Sequence, residues 1–151
     1  MIVLVLVIMG INVFWFFMPK RLTGAEMLYA SFFAIAFQQF IDVYLDLKLD
    51  LYGYFNKGVD WGYIFVILGF FPGLNCIFLN FYPFNNTLLK KAIYIGMWAL
   101  FSTLYEELSI HLSYFYYHNW TIWFSIPMYP VLLIINIQSL KWFRHLNKDS
   151  L

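Results

Sequence analysis

Long apolar runs are the feature that most limits what this chain can fold into. No charged side chain occurs from Met1 to Met18, and four later runs are almost as apolar. A helix needs about 20 mostly apolar residues to cross the ~30 Å hydrocarbon core of a bilayer. Because 63% of the residues are hydrophobic and only 11% are charged, the chain cannot build the polar surface of a water-soluble globule. We therefore predict an all-α membrane protein, a single transmembrane domain over residues 1–151, with five spans at about 1–18, 25–45, 59–82, 88–112 and 120–143.

Composition also excludes several classes of function. The net charge of +1 provides no basic surface, so we expect no nucleic-acid partner. Cys76 is the single cysteine and lies in an apolar run, which excludes an intrachain disulfide and a cysteine-based zinc site. The first apolar run lacks a basic start and a following A-x-A-like cleavage site, so we predict an uncleaved span rather than a signal peptide.

The positions of lysine and arginine predict how the spans are oriented. Of nine such residues, only Lys48 and Lys57 fall in the loop after the second span. Cytoplasmic loops carry the excess of positive charge, so we predict that the N-terminus lies outside and the C-terminus in the cytoplasm. The aromatic clusters YGYF, YFYYHNW and WF occur where the interfacial belts of such spans should lie. The predicted cytoplasmic cations are Lys20, Arg21, Lys90, Lys91, Lys141, Arg144 and Lys148.

Two segments depart from a simple helical pattern. LDLKLDLY, from Leu45 to Tyr52, alternates with period two, as a half-buried strand does. Because no partner strand is evident, we expect a continuation of the second helix at the outer surface instead. In NFYPFNNTLLKK, Asn86 or Thr87 is the expected N-cap of the fourth helix.

Prolines interrupt two of the predicted spans. Pro72 with Gly73 predicts a kink in the third helix, where Asn75 is placed to hydrogen-bond the freed backbone. SIPMYP, from Ser125 to Pro130, predicts a break in the outer half of the fifth span. Broken helices line cavities in transporters, although proline kinks also occur in membrane helices without such a role.

Carboxylate and imidazole groups gather in the second and fourth spans. Residues four apart share a helix face, which places Asp42 with Asp46 and Glu107 with His111. Glu106 lies on the neighbouring stripe. At 1.5 Å per residue, Asp42 and Glu107 both lie roughly 24 Å from the cytoplasmic end of their helices. If these two helices are neighbours, the side chains share one outward-facing pocket.

Other interpretations of this cluster remain open. Polar side chains in membrane helices are functional candidates, yet they also hydrogen-bond neighbouring helices without further function. Glu107 and His111 have metal-ligand spacing, and Asp42 or His118 would complete a set, but nothing in the sequence defines the geometry. EELSIH superficially resembles the E-E-x-x-x-R element of prenyl-protease-like membrane hydrolases. It has His111 where that family has arginine, and the further histidine motifs are missing. The sequence therefore assigns no catalytic residue, metal or cofactor.

The chain from Phe71 onward resembles a known family. FFPGLNCIFLNFYP, KKAIYIGMWALFSTLYEELS and YFYYHNWTIWFSIPMY are similar to a family of small uncharacterised integral membrane proteins from Bacillus, Clostridium and relatives. The resemblance covers about half the chain and implies a multi-pass protein of the bacterial cytoplasmic membrane, but no reaction. It favours Glu106 over Glu107 as the glutamate of the pattern. The matching positions are Pro72, Tyr82, Pro83, Tyr94, Trp98, Glu106, Trp120, Trp123 and Ser125.

These observations favour a small non-enzymatic membrane component. We expect it to bind a solute, lipid headgroup or cation, or to serve as an accessory subunit of a membrane complex. The alternative is a proton-coupled transporter or intramembrane enzyme that uses Glu106, Glu107 and His111. The expected partners are the lipid bilayer and either another membrane protein or a second copy of the chain, since the small residues Gly53, Gly58, Gly62, Gly69 and Gly73 permit close helix approach. The candidate ligand-binding residues are Asp42, Asp46, Glu106, Glu107, His111, His118 and Ser125.

Overall fold

A computed structural model describes residues 2–55 and 61–148 of the chain. Within these ranges it contains five helices and one pair of short strands. Helix α2 ends in a π-helical turn, and α3 contains a π-helical segment between two α-helical parts. The elements are α1 (Ile2–Phe17), α2 (Gly24–Asp42, then Val43–Lys48), β1 (Tyr52–Tyr54), α3 (Trp61–Phe65, Val66–Phe70 and Phe71–Phe81), α4 (Leu88–His111), β2 (Phe115–Tyr117) and α5 (Ile122–Lys148).

The helical fold class is confirmed, and three of the helices are long and apolar enough to cross a membrane. These are α2 over Gly24–Lys48, α3 over Gly62–Phe81 and α5 over Ile122–Asn147. Helix α1 is apolar but has only 16 residues, and α4 has 24 residues with charged groups near both ends. The predicted start of the third span at Val59 lies outside the described residues. Large apolar side chains on all five helices are exposed, which is the surface that lipid would cover.

Helix α1 packs against α3 through two glycines one turn apart. A Cβ atom at Gly69 would lie 2.8 Å from Ile8 Cγ2, and one at Gly73 would lie 2.8 Å from Ile11 Cγ2. The missing side chains therefore let the two helices approach closely, as small-xxx-small pairs do in membranes. These two glycines serve packing within the chain. Of the other small residues considered for helix approach, Gly58 lies outside the described residues.

One end of the bundle is held together by polar contacts between loops and helix ends. Asn80, at the end of α3, accepts hydrogen bonds from the backbone N–H of Arg21 (2.7 Å) and Leu22 (3.2 Å). Thr23 and Glu26 form a capping box that begins α2. Glu26 also pairs with Arg144 of α5, with Nε and Oε1 2.5 Å apart. Arg21 and Arg144, two of the cations that the sequence analysis placed in the cytoplasm, lie at this end.

The two proline-containing segments differ in how they affect their helices. Helix α5 runs without a break through Pro127 and Pro130, so the predicted interruption is wrong. In α3, Pro72 opens the second α-helical part, directly after the π-helical segment. Asn75 does not repair the local backbone; its Nδ2 donates to the Ala30 carbonyl of α2 at 2.9 Å.

A carbonyl in the π-helical segment of α3 is instead satisfied from α1. Asn12 Nδ2 donates to the Gly69 carbonyl oxygen at 2.9 Å and to its own helix at Ile8 O. One amide therefore links two helices where the regular ladder of α3 is interrupted. At the start of α4, Thr87 occupies the N-cap position, in agreement with one of the two predicted residues.

Strands β1 and β2 form an antiparallel pair at the other end of the bundle. The continuation of α2 to Lys48 agrees with the prediction, but the expectation that the chain offers no partner strand was wrong. Tyr52 lies opposite Tyr117, and Tyr54 lies opposite Phe115. Asp50, Phe55 and Ser113, which flank the strands, have positive φ angles that make these tight reversals possible. The pair brings together two segments that are 60 or more residues apart in the chain.

The packing order of the helices also differs from the assumption made from sequence. Helix α5 packs against both α2 and α4, and α2 packs mainly against α3 and α5. Within the described residues, no extensive contact joins α2 to α4. The two helices that carry the acidic residues face each other across a cavity instead of packing side by side.

Candidate functional site

A cavity of about 190 Å³, partly open to the surface, lies among the helices next to the strand pair. Side chains from all five helices and both strands line it, and most of them are apolar or aromatic. The ring of Phe70 on α3 stacks on Tyr105 of α4 with centroids 4.8 Å apart. Tyr52 of β1 packs against Phe115 of β2 at 5.2 Å. The cavity is therefore a largely apolar space bounded by aromatic rings, with a few polar groups in its wall.

Glu106 of α4 is the acidic residue that lines this cavity. It is 7% exposed, and three hydroxyl groups converge on its carboxylate. Ser125 Oγ donates to Oε1 at 2.7 Å, and the hydroxyl of Tyr117 also donates to Oε1. The Tyr129 hydroxyl donates to Oε2. Because Ser125 and Tyr129 are four residues apart, they share the face of α5 that is turned towards α4.

Ser125 is held in place by a further donor. Trp120 Nε1 donates to Ser125 Oγ at 2.8 Å, which leaves the hydroxyl proton of Ser125 for Glu106. The indole of Trp120 also lines the cavity. These two hydrogen bonds fix the direction of the Ser125 hydroxyl and give the Trp120 indole N–H a buried acceptor.

Asp42 of α2 belongs to a second, separate polar cluster. It is 3% exposed and accepts from Gln38 Nε2 at 3.0 Å to each carboxylate oxygen. The Tyr52 hydroxyl donates to Oδ1 at 2.8 Å, and the Tyr63 hydroxyl of α3 donates to Oδ2. A carboxylate has about four acceptor directions, and these four contacts use them all. Asp42 itself does not line the cavity.

The strand pair connects the two carboxylates. Tyr52 and Tyr117 are directly opposite in the register, and each donates to one buried acid, Asp42 and Glu106 respectively. Burial raises the pKa of both tyrosines, and the neighbouring carboxylates raise it further. Both hydroxyls therefore keep their protons at neutral pH and act as donors. The strands cover one end of the cavity and are attached to its two sides by these bonds.

Three further residues with hydroxyl groups lie in the cavity wall on α4 or just after it. Tyr114 donates to the Tyr105 hydroxyl at 3.0 Å and lies 3.1 Å from Ser109 Oγ. Ser109 also donates to the Tyr105 carbonyl at 2.6 Å. All three residues line the cavity. The lining therefore offers hydroxyl groups as well as the Glu106 carboxylate to a bound molecule.

The structure separates the residues that the sequence analysis grouped as one pocket. Asp42, Glu106 and Ser125 are buried, whereas Glu107 and His111 are 49% and 73% exposed. Glu107 and His111 pair with each other at 3.3 Å on the outer face of α4. The remaining two candidates also lie away from the cavity: Asp46 is half-buried one turn beyond Asp42, and His118 pairs with Asp50 at 2.8 Å.

A metal centre is not assembled from these groups. In residues 2–55 and 61–148, no three histidine, cysteine, aspartate or glutamate side chains come close enough to hold an ion. The exposed pair Glu107–His111 has no third ligand there, because Asp42 is enclosed by its own donors and His118 faces Asp50.

Tyrosines are the site residues that sequence reasoning missed. Tyr52, Tyr63, Tyr117 and Tyr129 supply four of the donors to the two buried acids. YGY and YFYYHNW were interpreted only as interfacial aromatic belts. The sequence did contain a signal for their role, because two tyrosine-rich segments occur together with two acidic helices and a buried carboxylate needs hydrogen-bond donors.

Together these features describe a helical fold with three helices suited to crossing a membrane and a partly open cavity walled by aromatic rings and the Glu106 carboxylate. No family model, curated protein or solved structure matches the chain. The function must therefore be argued from the geometry of the site itself.

Proposed function

We propose that this chain is a non-enzymatic multi-pass protein of the bacterial cytoplasmic membrane that binds a small solute in the cavity beside Glu106. The observation that carries the proposal is a cavity of about 190 Å³ in which a buried carboxylate is placed among aromatic walls. Small-molecule sites are typically concave, mostly apolar and equipped with a few fixed polar groups. The resemblance to small integral membrane proteins of Bacillus and Clostridium, drawn from Phe71 onward, is consistent with this location.

The proposal includes five membrane crossings, with the N-terminus and the strand pair outside. Helix α4 is about 36 Å long at 1.5 Å per residue, enough to cross the hydrocarbon core. Helix α1 is about 24 Å long, so its ends reach the interfaces only where the bilayer is locally thin or where flanking residues extend it. The cations near Glu26 and Arg144 lie at the end opposite the strands, which supports a cytoplasmic position for that end.

The topology can be tested by cysteine labelling in intact cells. Cys76 is first replaced by serine, and single cysteines are then introduced at exposed positions of either end, Asn86 or Asn119. A membrane-impermeant maleimide should label Asn119→Cys in intact cells and Asn86→Cys only after permeabilisation. Labelling of Asn86→Cys in intact cells would overturn the proposed orientation.

Binding in the cavity can be tested by filling it. Ser102 lines the cavity, whereas its neighbour Thr103 does not and bonds to Ala99 within its own helix. We expect native mass spectrometry of the protein in nanodiscs to show a bound small molecule that Ser102→Leu removes and Thr103→Leu retains. A wild-type protein that carries no small molecule, or equal occupancy in both variants, would contradict binding in this cavity.

The geometry gives less support to a proton-coupled transporter or intramembrane enzyme built on Glu106, Glu107 and His111. Such a mechanism needs the three groups to act on one substrate. Glu107 and His111 are exposed on another face of α4 from the buried Glu106.

A further inference from the structure

The Glu106 carboxylate differs from the acids that form ion pairs, because its hydrogen-bond partners carry no charge. Within the part of the chain that the structure describes, ion pairs join Glu26 to Arg144, Asp50 to His118 and Glu107 to His111. Glu106 takes part in none of them, and its three donors are neutral hydroxyls. Hydroxyl groups orient a carboxylate but leave its charge in place. Buried charges in proteins are usually paired or hydrogen-bonded, and none of the three partners of Glu106 is a cation.

Acceptor capacity distinguishes Glu106 from Asp42, the other deeply buried acid. Four contacts use all the acceptor directions of Asp42, and Asp42 lies outside the cavity lining. Three contacts use only part of the capacity of Glu106, two on Oε1 and one on Oε2. The remaining capacity is on the acid that lines the cavity. Asp42 therefore anchors the strand pair, and Glu106 is the acid that can bind a guest.

The walls of the cavity favour a cation with an apolar body. The aromatic lining includes Tyr52, Phe70, Tyr105, Phe115 and Trp120, and the faces of such rings attract organic cations. A bare metal ion would need several more oxygen or nitrogen ligands than Glu106 can provide. An alkylated ammonium needs fewer, because its methyl groups contact the rings and its charge is spread over them.

The size of the cavity suits a compact molecule. An apolar protein cavity of roughly 150 Å³ accommodates benzene, and this cavity measures about 190 Å³. A whole phospholipid or a nucleotide is far larger than this space. A guest with one ammonium centre and a few carbon atoms matches it.

We propose that the cavity binds a small organic cation, an alkylated ammonium compound whose charged group lies against Glu106 and whose carbon atoms contact the surrounding rings. This inference rests on the proposed function, since it names the class of solute for the same cavity. It adds that charge, and not only apolar shape, selects the guest.

Choline and 3,3-dimethylbutan-1-ol form a matched pair of probes, because they have nearly the same shape and only choline is charged. Calorimetric titration into the protein in nanodiscs, with protein-free nanodiscs as the blank, compares the two. We expect choline to bind at least about tenfold more tightly, as a desolvated cation among aromatic rings should. Glu106→Gln should reduce choline affinity by about tenfold or more and change the affinity of the alcohol by much less. Glu107→Gln is the control and should change neither affinity.

The outcomes separate this inference from the proposed function. Equal affinities of the two probes for the wild-type protein would overturn cation selection, while a cavity that Ser102→Leu empties would still support solute binding. Failure of choline to bind at all would likewise overturn the inference. Retained binding of the alcohol by Glu106→Gln shows that the cavity survives the substitution. If that variant does not fold, the comparison of the two probes on the wild-type protein decides the question alone.

Discussion

Removing the Tyr117 hydroxyl tests whether the strand pair is attached to the helices through Glu106. In Tyr117→Phe, the ring and its packing remain, and one donor to the buried carboxylate is lost. A hydrogen bond to a charged group contributes about 1.5–3 kcal/mol to stability. Because Tyr117 is only half-buried, water can partly replace its hydroxyl. We therefore expect the free energy of unfolding to fall by about 1.5 kcal/mol, close to a tenfold change in the unfolding equilibrium.

Tyr116→Phe is the matched control on the same strand. The Tyr116 ring lies across Gly53, where a Cβ atom would lie 2.5 Å from the hydroxyl oxygen, and its hydroxyl does not contact Glu106. We expect this variant to stay within about 0.5 kcal/mol of the wild type. Stability is measured by reversible unfolding in mixed micelles with increasing denaturing detergent, followed by circular dichroism. Equal unfolding midpoints for the two variants would refute the attachment.

A second comparison identifies the partner of the hydroxyl. In a Glu106→Gln background the acceptor is neutral, and a neutral hydrogen bond contributes only about 0.5–1.5 kcal/mol. The effect of Tyr117→Phe should therefore be smaller in that background than in the wild type. An effect of the same size in both backgrounds would show that the destabilisation does not arise at Glu106.

Two further predictions concern helix packing and alkaline pH. Gly73→Leu should destabilise the protein by about 1–3 kcal/mol, because the new side chain would meet Ile11. Gly96→Ala adds a methyl group in open space and should be neutral or stabilise the protein by up to about 1 kcal/mol. The same unfolding assay checks both variants. Because the pKa values of Tyr52 and Tyr117 are raised, the folded state holds the protons of these two hydroxyls more tightly than the unfolded state does. The stability that the two tyrosines contribute is therefore complete below about pH 10 and is lost as the pH rises above it. In tyrosinate absorbance and circular dichroism recorded together, part of the rise in absorbance should therefore appear only as the protein unfolds; a complete rise while the protein is still folded would contradict the burial of these two hydroxyls.

Much of the fold was accessible from the sequence because it depends on local chemistry. Long apolar runs predicted the helices, and Thr87 was one of two predicted caps of α4. The extension of α2 beyond Asp42 was also predicted. Each of these depends on residues close together in the chain, where periodicity and capping patterns carry the information.

The candidate site could be predicted only in part. Asp42, Glu106 and Ser125 were named from the sequence as candidate ligand-binding residues, and the structure buries all three. Which of the neighbouring acids Glu106 and Glu107 faces inward could not be decided from spacing alone. The two are about 100° apart on the helix, and only the packing of α5 against α4 selects one of them.

The sequence by itself determined that the chain is helical, that its surface is apolar and that its acids are few. The tertiary structure alone decided that β1 pairs with β2, that Asp42 and Glu106 have separate sets of donors, and that Glu106 but not Asp42 lines the cavity. The physical reason is sequence separation. A helix satisfies its backbone within four residues, whereas Tyr52 and Tyr117 become neighbours only when distant helices pack and bring their ends together.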